Sequence, residues 1–308
     1  MLKVYRTAIG LPSKVTQLTL DCAHVGPEDK GPAFGAPLIR SFLQRRGGRA
    51  FALLALLALA SCGGPKTAHE VFHSTLLGRD YSLDIYVPPG AGEALPLVLI
   101  LDGGAYFQSV ASDFDEKLRA GEVHAAVLIG IDYAQENLRG TDFTPTAIRE
   151  FPAGGGLERY VDFIQDELLP SLEARLPITR SPSQRTILGH SLGGLATSYL
   201  LFRRPGLFGN LGLLSPSLWY DDGLPLGWEE EYASTHDELP VNVWSSVGAW
   251  EHIDILAPYN LFEQRFASRH YQGLRWETKR YGGLSHVSSA YVSMTDALVF
   301  FLGQEGSR

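Results

Sequence analysis

Short apolar runs alternate with longer amphipathic stretches along most of the chain. His73-Ser-Thr-Leu-Leu77 and Tyr81-Ser-Leu-Asp-Ile-Tyr-Val87 alternate polar and apolar positions, which predicts two half-exposed antiparallel strands around the turn Gly78-Arg79-Asp80. Leu95-Pro-Leu-Val-Leu-Ile-Leu101 and Ala125-Ala-Val-Leu-Ile-Gly-Ile131 are continuously apolar, as expected of strands covered on both faces. Between them an amphipathic pattern predicts a helix over about Phe107–Ala120. An irregular stretch follows over Tyr133–Gly156, then a helix from about Leu157 to Leu176 that contains Pro170. Thr186-Ile187-Leu188 reads as the end of a buried strand and Leu195–Phe202 as a buried helix. Leu211–Leu214, Val241–Val247 and Arg275–Tyr281 supply three further strands, and Val287–Leu302 a final helix. Strands that alternate with helices in this way predict one α/β domain over residues 71–303, built on a mostly parallel sheet with helices on both faces.

Charge changes the picture at the N-terminus. Residues 1–61 hold 8 Lys/Arg against 3 Asp/Glu, so the overall −8 conceals a remainder at −13. An acidic body of this kind argues against a nucleic-acid partner, because phosphate contacts need clustered cations. The apolar segment Phe51–Ala60 follows Arg40, Arg45, Arg46 and Arg49, and it is too short for a membrane span. Residues 40–61 therefore read as a secretory signal. Leu59-Ala60-Ser61-Cys62-Gly63 looks like a bacterial lipobox with Cys62 as the lipidated residue, the alternative being plain cleavage near Ala60-Ser61. Export, a membrane anchor at Cys62 and a tether over residues 62–70 are the expectations, with Gly63 favouring the outer membrane of a two-membrane cell. Residues 1–39, which lie ahead of the basic region, read as a leader from an upstream start and not as mature protein. The two cysteines are Cys22 and Cys62, so the body offers no disulfide, thiolate nucleophile or thiolate metal site, and no cofactor or metal is expected.

The chemistry enters at Gly189-His190-Ser191-Leu192-Gly193-Gly194. These residues fit the G-x-S-x-G turn in which a serine sits between a strand and a helix. A serine hydroxyl needs an imidazole to take its proton and a carboxylate to hold that imidazole in the right tautomer. Downstream lie His236, His252, His270 and His286, and only His286 falls in a glycine-bearing loop between a strand and the final helix. His190 is expected to pack or bond locally. For the acid, Glu251 follows the strand Val241–Val247, with Asp254 and then Asp237 as alternatives. An oxyanion needs backbone N–H donors, expected from Leu192 and from Asp102-Gly103-Gly104-Ala105, where Gly104 is favoured and Gly103 or Ala105 remain in contention.

Further stretches carry a resemblance. Asp102-Gly103 with Tyr106-Phe107, Asn137-Leu-Arg139, Asp142-Phe-Thr-Pro145, Gly154-Gly-Gly156, Phe163–Pro170, Pro205-Gly-Leu-Phe208 and Ser215-Pro-Ser-Leu-Trp219-Tyr220 join the elbow. Together they resemble the putative-esterase family of α/β-hydrolases, over about residues 70–303, and its branch of siderophore trilactone esterases. The resemblance implies an α/β-hydrolase fold and a carboxylic ester hydrolase, with Ser191 as nucleophile, His286 as base and Glu251 at the acid position. It also implies a small-molecule ester as substrate. Arg139 would face anionic aromatic groups of such a substrate or pair with Asp142 or Glu150. Tyr106 and Trp219 would line the pocket, Trp219 with core packing as its alternative. Acyl or feruloyl esters of carbohydrates, acyl transfer to a sugar hydroxyl, and a surface lipoprotein that binds a ligand without turnover are the other readings.

Overall fold

The computed structural model describes residues 64–90 and 92–304. The leader, the signal segment and the lipidation expected at Cys62 lie outside the described residues.

β1 (Thr67–Ser74) and β2 (Arg79–Tyr86) form the expected hairpin, with Gly78 at φ 65° in the turn. β1 starts at Thr67, so the stretch expected as tether up to residue 70 is already strand from that point. The hairpin leads into β3 (Leu97–Leu101), α1 (Gly103–Ala120) and β4 (Val127–Tyr133). α1 begins four residues earlier than its apolar pattern indicates. Asp102, at φ 55° and ψ 45°, turns the chain straight from β3 into the helix, and two glycines of low helix propensity open it.

α2 combines α-helical Leu157–Phe163, a π-helical turn Ile164–Leu168 and α-helical Leu169–Arg175. The widened turn precedes Pro170, whose ring and missing N–H cannot be fitted into a regular helix interior. β5 (Arg185–His190), α3 (Leu192–Arg203), β6 (Asn210–Leu214), β7 (Asn242–Gly248), β8 (Arg275–Tyr281) and a last helix, His286–Leu302, match the expected elements within a few residues. Two long helices carried no sequence signal, nor did the single helical turn Arg139–Asp142 within the stretch expected to be irregular. α4 (Tyr220–Ala233) contains left-handed Asp221, Asp222 and Gly223 and then Pro225, while α5 (Ile253–Arg269) contains Pro258. Both are written with residues that ordinarily end helices. The last helix is therefore α6.

The strands form one sheet in the order β1-β2-β4-β3-β5-β6-β7-β8, antiparallel across the first two pairings and parallel across the rest. Alternate residues of each central strand feed two cores. Leu97, Leu99 and Leu101 pack with α2 and α3 on one face, and Val98 and Ile100 with α1 and α6 on the other. This is the expected doubly covered α/β-hydrolase architecture. It brings the carboxyl ends of β3, β5, β6 and β7 to one edge, where parallel α/β sheets place their ligands.

Candidate active site

Ser191 sits between β5 and α3 at φ 60° and ψ −115°, a strained conformation for a residue with a side chain. Gly189 makes the turn sterically feasible, because a Cβ there would lie 2.1 Å from the carbonyl oxygen of Gly193. The turn is fixed from outside as well. Ser191 N donates to the Leu214 carbonyl at 3.0 Å, and Ser217 N donates to the Ser191 carbonyl at 3.0 Å. The Ser191 hydroxyl makes no hydrogen bond among the described residues.

Glu251 and His286 meet. The carboxylate lies in the loop after β7 and the imidazole at the start of α6, and His286 Nδ1 is 2.6 Å from Glu251 Oε2. The other carboxylate oxygen accepts from Gly248 N and from Ser215 Oγ, each at 2.6 Å. Burial raises the Glu251 carboxyl, but the bonds from His286, Ser215 and Gly248 outweigh it and hold the group below the ordinary glutamate range. The Glu251 side chain is buried while the His286 ring stays one-third exposed. Asp254 is exposed and beside His252, which caps α5. His236 stacks on Tyr232, and His270 ends α5. Two downstream histidine–acid pairs thus form among the described residues, and they differ in setting: His252 and Asp254, 3.2 Å apart, are both exposed, whereas His286 pairs with a buried Glu251. Ser215 went unrecognised as the acid's partner, although it opens the Ser-Pro-Ser-Leu-Trp motif; its φ of 42° turns its hydroxyl toward Glu251.

The turn after β3 corrects one expectation. The Gly104 amide donates to Asp132 Oδ2 at 2.7 Å, and that of Ala105 to the Asp102 carbonyl at 3.0 Å. Gly103 N and Leu192 N are the amides without a partner among the described residues. They open α1 and α3 on the neighbouring strands β3 and β5, where helix N-termini favour negative charge. Gly103 must be glycine, since a Cβ there would lie 2.6 Å from the Gly130 backbone.

Arg139 is a second correction. Its guanidinium pairs with neither Asp142 nor Glu150 but grips Asp102 bidentately, Nε to Oδ1 at 2.8 Å and Nη2 to Oδ2 at 3.0 Å. Burial pushes the Asp102 carboxyl up despite this partner. Asp142 instead binds Arg79 and the Tyr81 hydroxyl, and Glu150 binds Arg149. Arg139 thereby braces the turn that presents Gly103.

Tyr106 points its hydroxyl at His190 Nδ1, 3.0 Å away, and burial with the nearby Asp102 charge pushes its phenol up to about 12. Trp219 is half-buried at the start of α4, packed against the core and beside Tyr220. Tyr220 is fully buried and donates to the Thr146 carbonyl at 2.6 Å, while Thr146 Oγ1 bonds Asp221 at 2.7 Å, so the irregular Tyr133–Gly156 stretch is pinned beside the site.

Comparison with known proteins identifies the family. The family model described as "Putative esterase" matches residues 74–257. The ferri-bacillibactin esterase BesA of Bacillus subtilis is 31% identical over 241 residues, 71% of this chain and 82% of the relative. The siderophore triacetylfusarinine C esterase of Aspergillus fumigatus is 29% identical over 168 residues, 51% of this chain and 57% of the relative. A crystal structure of the BES protein from Bacillus cereus superposes with a TM-score of 0.70 at 26% identity, covering 76% of this chain and 94% of that one. The chain belongs to the putative esterase family of α/β-hydrolases and is a carboxylic ester hydrolase.

Proposed function

We propose that the chain hydrolyses esters through a Ser191–His286–Glu251 triad and an acyl-enzyme, and that its substrates are siderophore trilactones. The observation that carries the mechanism is the 2.6 Å bond between His286 Nδ1 and a carboxylate held by two further donors. That bond fixes the imidazole with Nε2 unprotonated and stabilises the imidazolium that forms when it takes a proton. Ser191 Oγ attacks the ester carbonyl carbon while His286 Nε2 accepts its proton, a contact that closes on substrate binding as nucleophile–base contacts of unliganded sites commonly do. The carbonyl oxygen gains charge in front of the Leu192 and Gly103 amides. His286 then protonates the departing alkoxide. Water attacks the acyl-enzyme by the same route in reverse, regenerating Ser191.

Siderophore trilactones are supported by the relatives, two of which are named for cleaving siderophore esters. The test is to incubate the purified protein with bacillibactin- and enterobactin-type trilactones, ferric and iron-free, and to follow ring opening by chromatography. Linear products that vanish with Ser191→Ala are expected. Intact trilactone alongside rapid cleavage of p-nitrophenyl butyrate would remove the siderophore assignment and leave the esterase.

A further inference from the structure

His190 is a buried titratable group, 4% exposed, that the ester-cleaving steps do not use. Its Nε2 lies 2.9 Å from the carbonyl oxygen of His286 and its Nδ1 lies 3.0 Å from the Tyr106 hydroxyl. A carbonyl oxygen only accepts, so Nε2 must carry the hydrogen. Nδ1 then holds a lone pair and the Tyr106 hydroxyl donates to it. In the neutral ring this tautomer satisfies both nitrogens, and burial disfavours the charged form. The His190 and His286 rings pack with centroids 4.4 Å apart at 44°.

We propose that His190 is a positioning residue that straps the backbone of His286 to the nucleophile elbow, with Tyr106 fixing the tautomer that allows it. This strap rests on the reading of His286 as the base. His286 follows the exposed loop Gly282–Ser285, whose Gly283 adopts φ 76°, and Glu251 holds only the imidazole. At the main chain the His286 carbonyl accepts from Ser289 Oγ within α6 at 3.2 Å and, from outside that helix, from the residue directly preceding Ser191. Tyr106 stands three residues after Gly103 on α1, so one run of hydrogen bonds joins the oxyanion turn, the elbow and the base. Neutrality matters as well: His286 becomes a cation in the reaction, and a charged ring in contact with it would oppose that step. The groups around His190 are the Tyr106 hydroxyl from α1, the His286 ring and carbonyl from α6, Glu251 from the loop after β7, and Arg139 from the irregular stretch; burial and then His286 push its protonation down to about 3.

The test compares His190→Phe, His190→Gln and Tyr106→Phe on p-nitrophenyl butyrate. Phenylalanine keeps the packing but not the donor, and kcat is expected to fall about 30-fold with KM within about threefold. A glutamine amide can still donate to the His286 carbonyl, and is expected to recover kcat to within about fivefold of wild type. Tyr106→Phe costs about threefold and adds nothing on top of His190→Phe, because both act through one strap. Nitrogen NMR of histidine-labelled wild-type protein reports the tautomer directly and should show His190 protonated at Nε2. The strap is overturned by His190→Phe at wild-type kcat, by a folded His190→Gln as impaired as His190→Phe, or by an Nδ1–H tautomer. Should His190→Phe not fold, His190→Gln and the tautomer decide. A fully active Ser191→Ala would remove the catalytic reading itself, whereas the tautomer would still test the strap.

Discussion

Replacing Glu251 by glutamine changes one oxygen to nitrogen, and the surrounding donors dictate where that nitrogen goes. Gly248 N lies 2.6 Å from Oε1 and can only donate, so an oxygen must stay at that position. The new amide NH2 is thereby directed at His286 Nδ1, which faces Oε2 at 2.6 Å. To accept from it, His286 must move its own hydrogen to Nε2, the nitrogen that has to receive the Ser191 proton. Losing a charge-assisted bond alone costs about 1.5–3 kcal/mol, or about 10- to 150-fold in kcat. Reversing the tautomer raises the expected loss to about 10⁴-fold, near 5.4 kcal/mol. The assay is kcat and KM on p-nitrophenyl butyrate near neutral pH, with a thermal melt to verify that the carboxamide leaves the fold in place. A folded Glu251→Gln within about tenfold of wild type would refute the reasoning, because neither charge nor tautomer would then matter at this site.

Three other outcomes follow from the same contacts. Arg139→Ala strands the buried Asp102 carboxylate and should lower stability by about 3 kcal/mol, or Tm by about 6–12 °C, together with kcat/KM; an unchanged melt would mean that Arg139 does not brace the turn. Glu229 is fully buried and holds Arg269 at 2.8 and 3.0 Å with Tyr271 at 3.2 Å, and because the Arg269 left behind is about one-third exposed, Glu229→Ala should cost about 1.5–3 kcal/mol in urea unfolding while kcat per folded molecule stays put. An imidazole that protonates near 6.5 when unfolded but only near 3 at His190 gives stability that is complete above pH 6.5 and declines as pH falls toward 3, by up to about 1.4 kcal/mol per pH unit. Urea midpoints measured down this range should fall less steeply in His190→Gln than in wild type, and equal slopes would contradict the burial of a neutral His190.

Much of the fold was legible because the central strands are apolar on both faces and the elbow needs its glycines at fixed spacing. The helices α4 and α5 were not, since Pro225, Pro258 and the left-handed Asp221–Gly223 oppose helix and are overridden by Phe262, Phe266, Trp228 and Tyr232 packing into the core. In the site, Ser191, Glu251 and His286 stand where strand order and loop position put them. On the β3 turn Gly104 was favoured over Gly103 as the free amide, because the engagement of Gly104 depends on Asp132, 28 positions away. Arg139 was read toward an anionic substrate group or a local acid, yet its partner Asp102 lies 37 positions earlier and is joined to it only by the fold. Spacing along a chain does not register pairs of this kind.

The central claim, that Ser191 is the nucleophile and His286 its base, meets its most direct test in covalent labelling with a fluorophosphonate followed by peptide mass spectrometry. The adduct is expected on Ser191 alone, absent from Ser191→Ala and formed at least about 10³-fold more slowly in His286→Ala. Label on another residue, or a Ser191→Ala protein that cleaves p-nitrophenyl butyrate as fast as wild type, would contradict it.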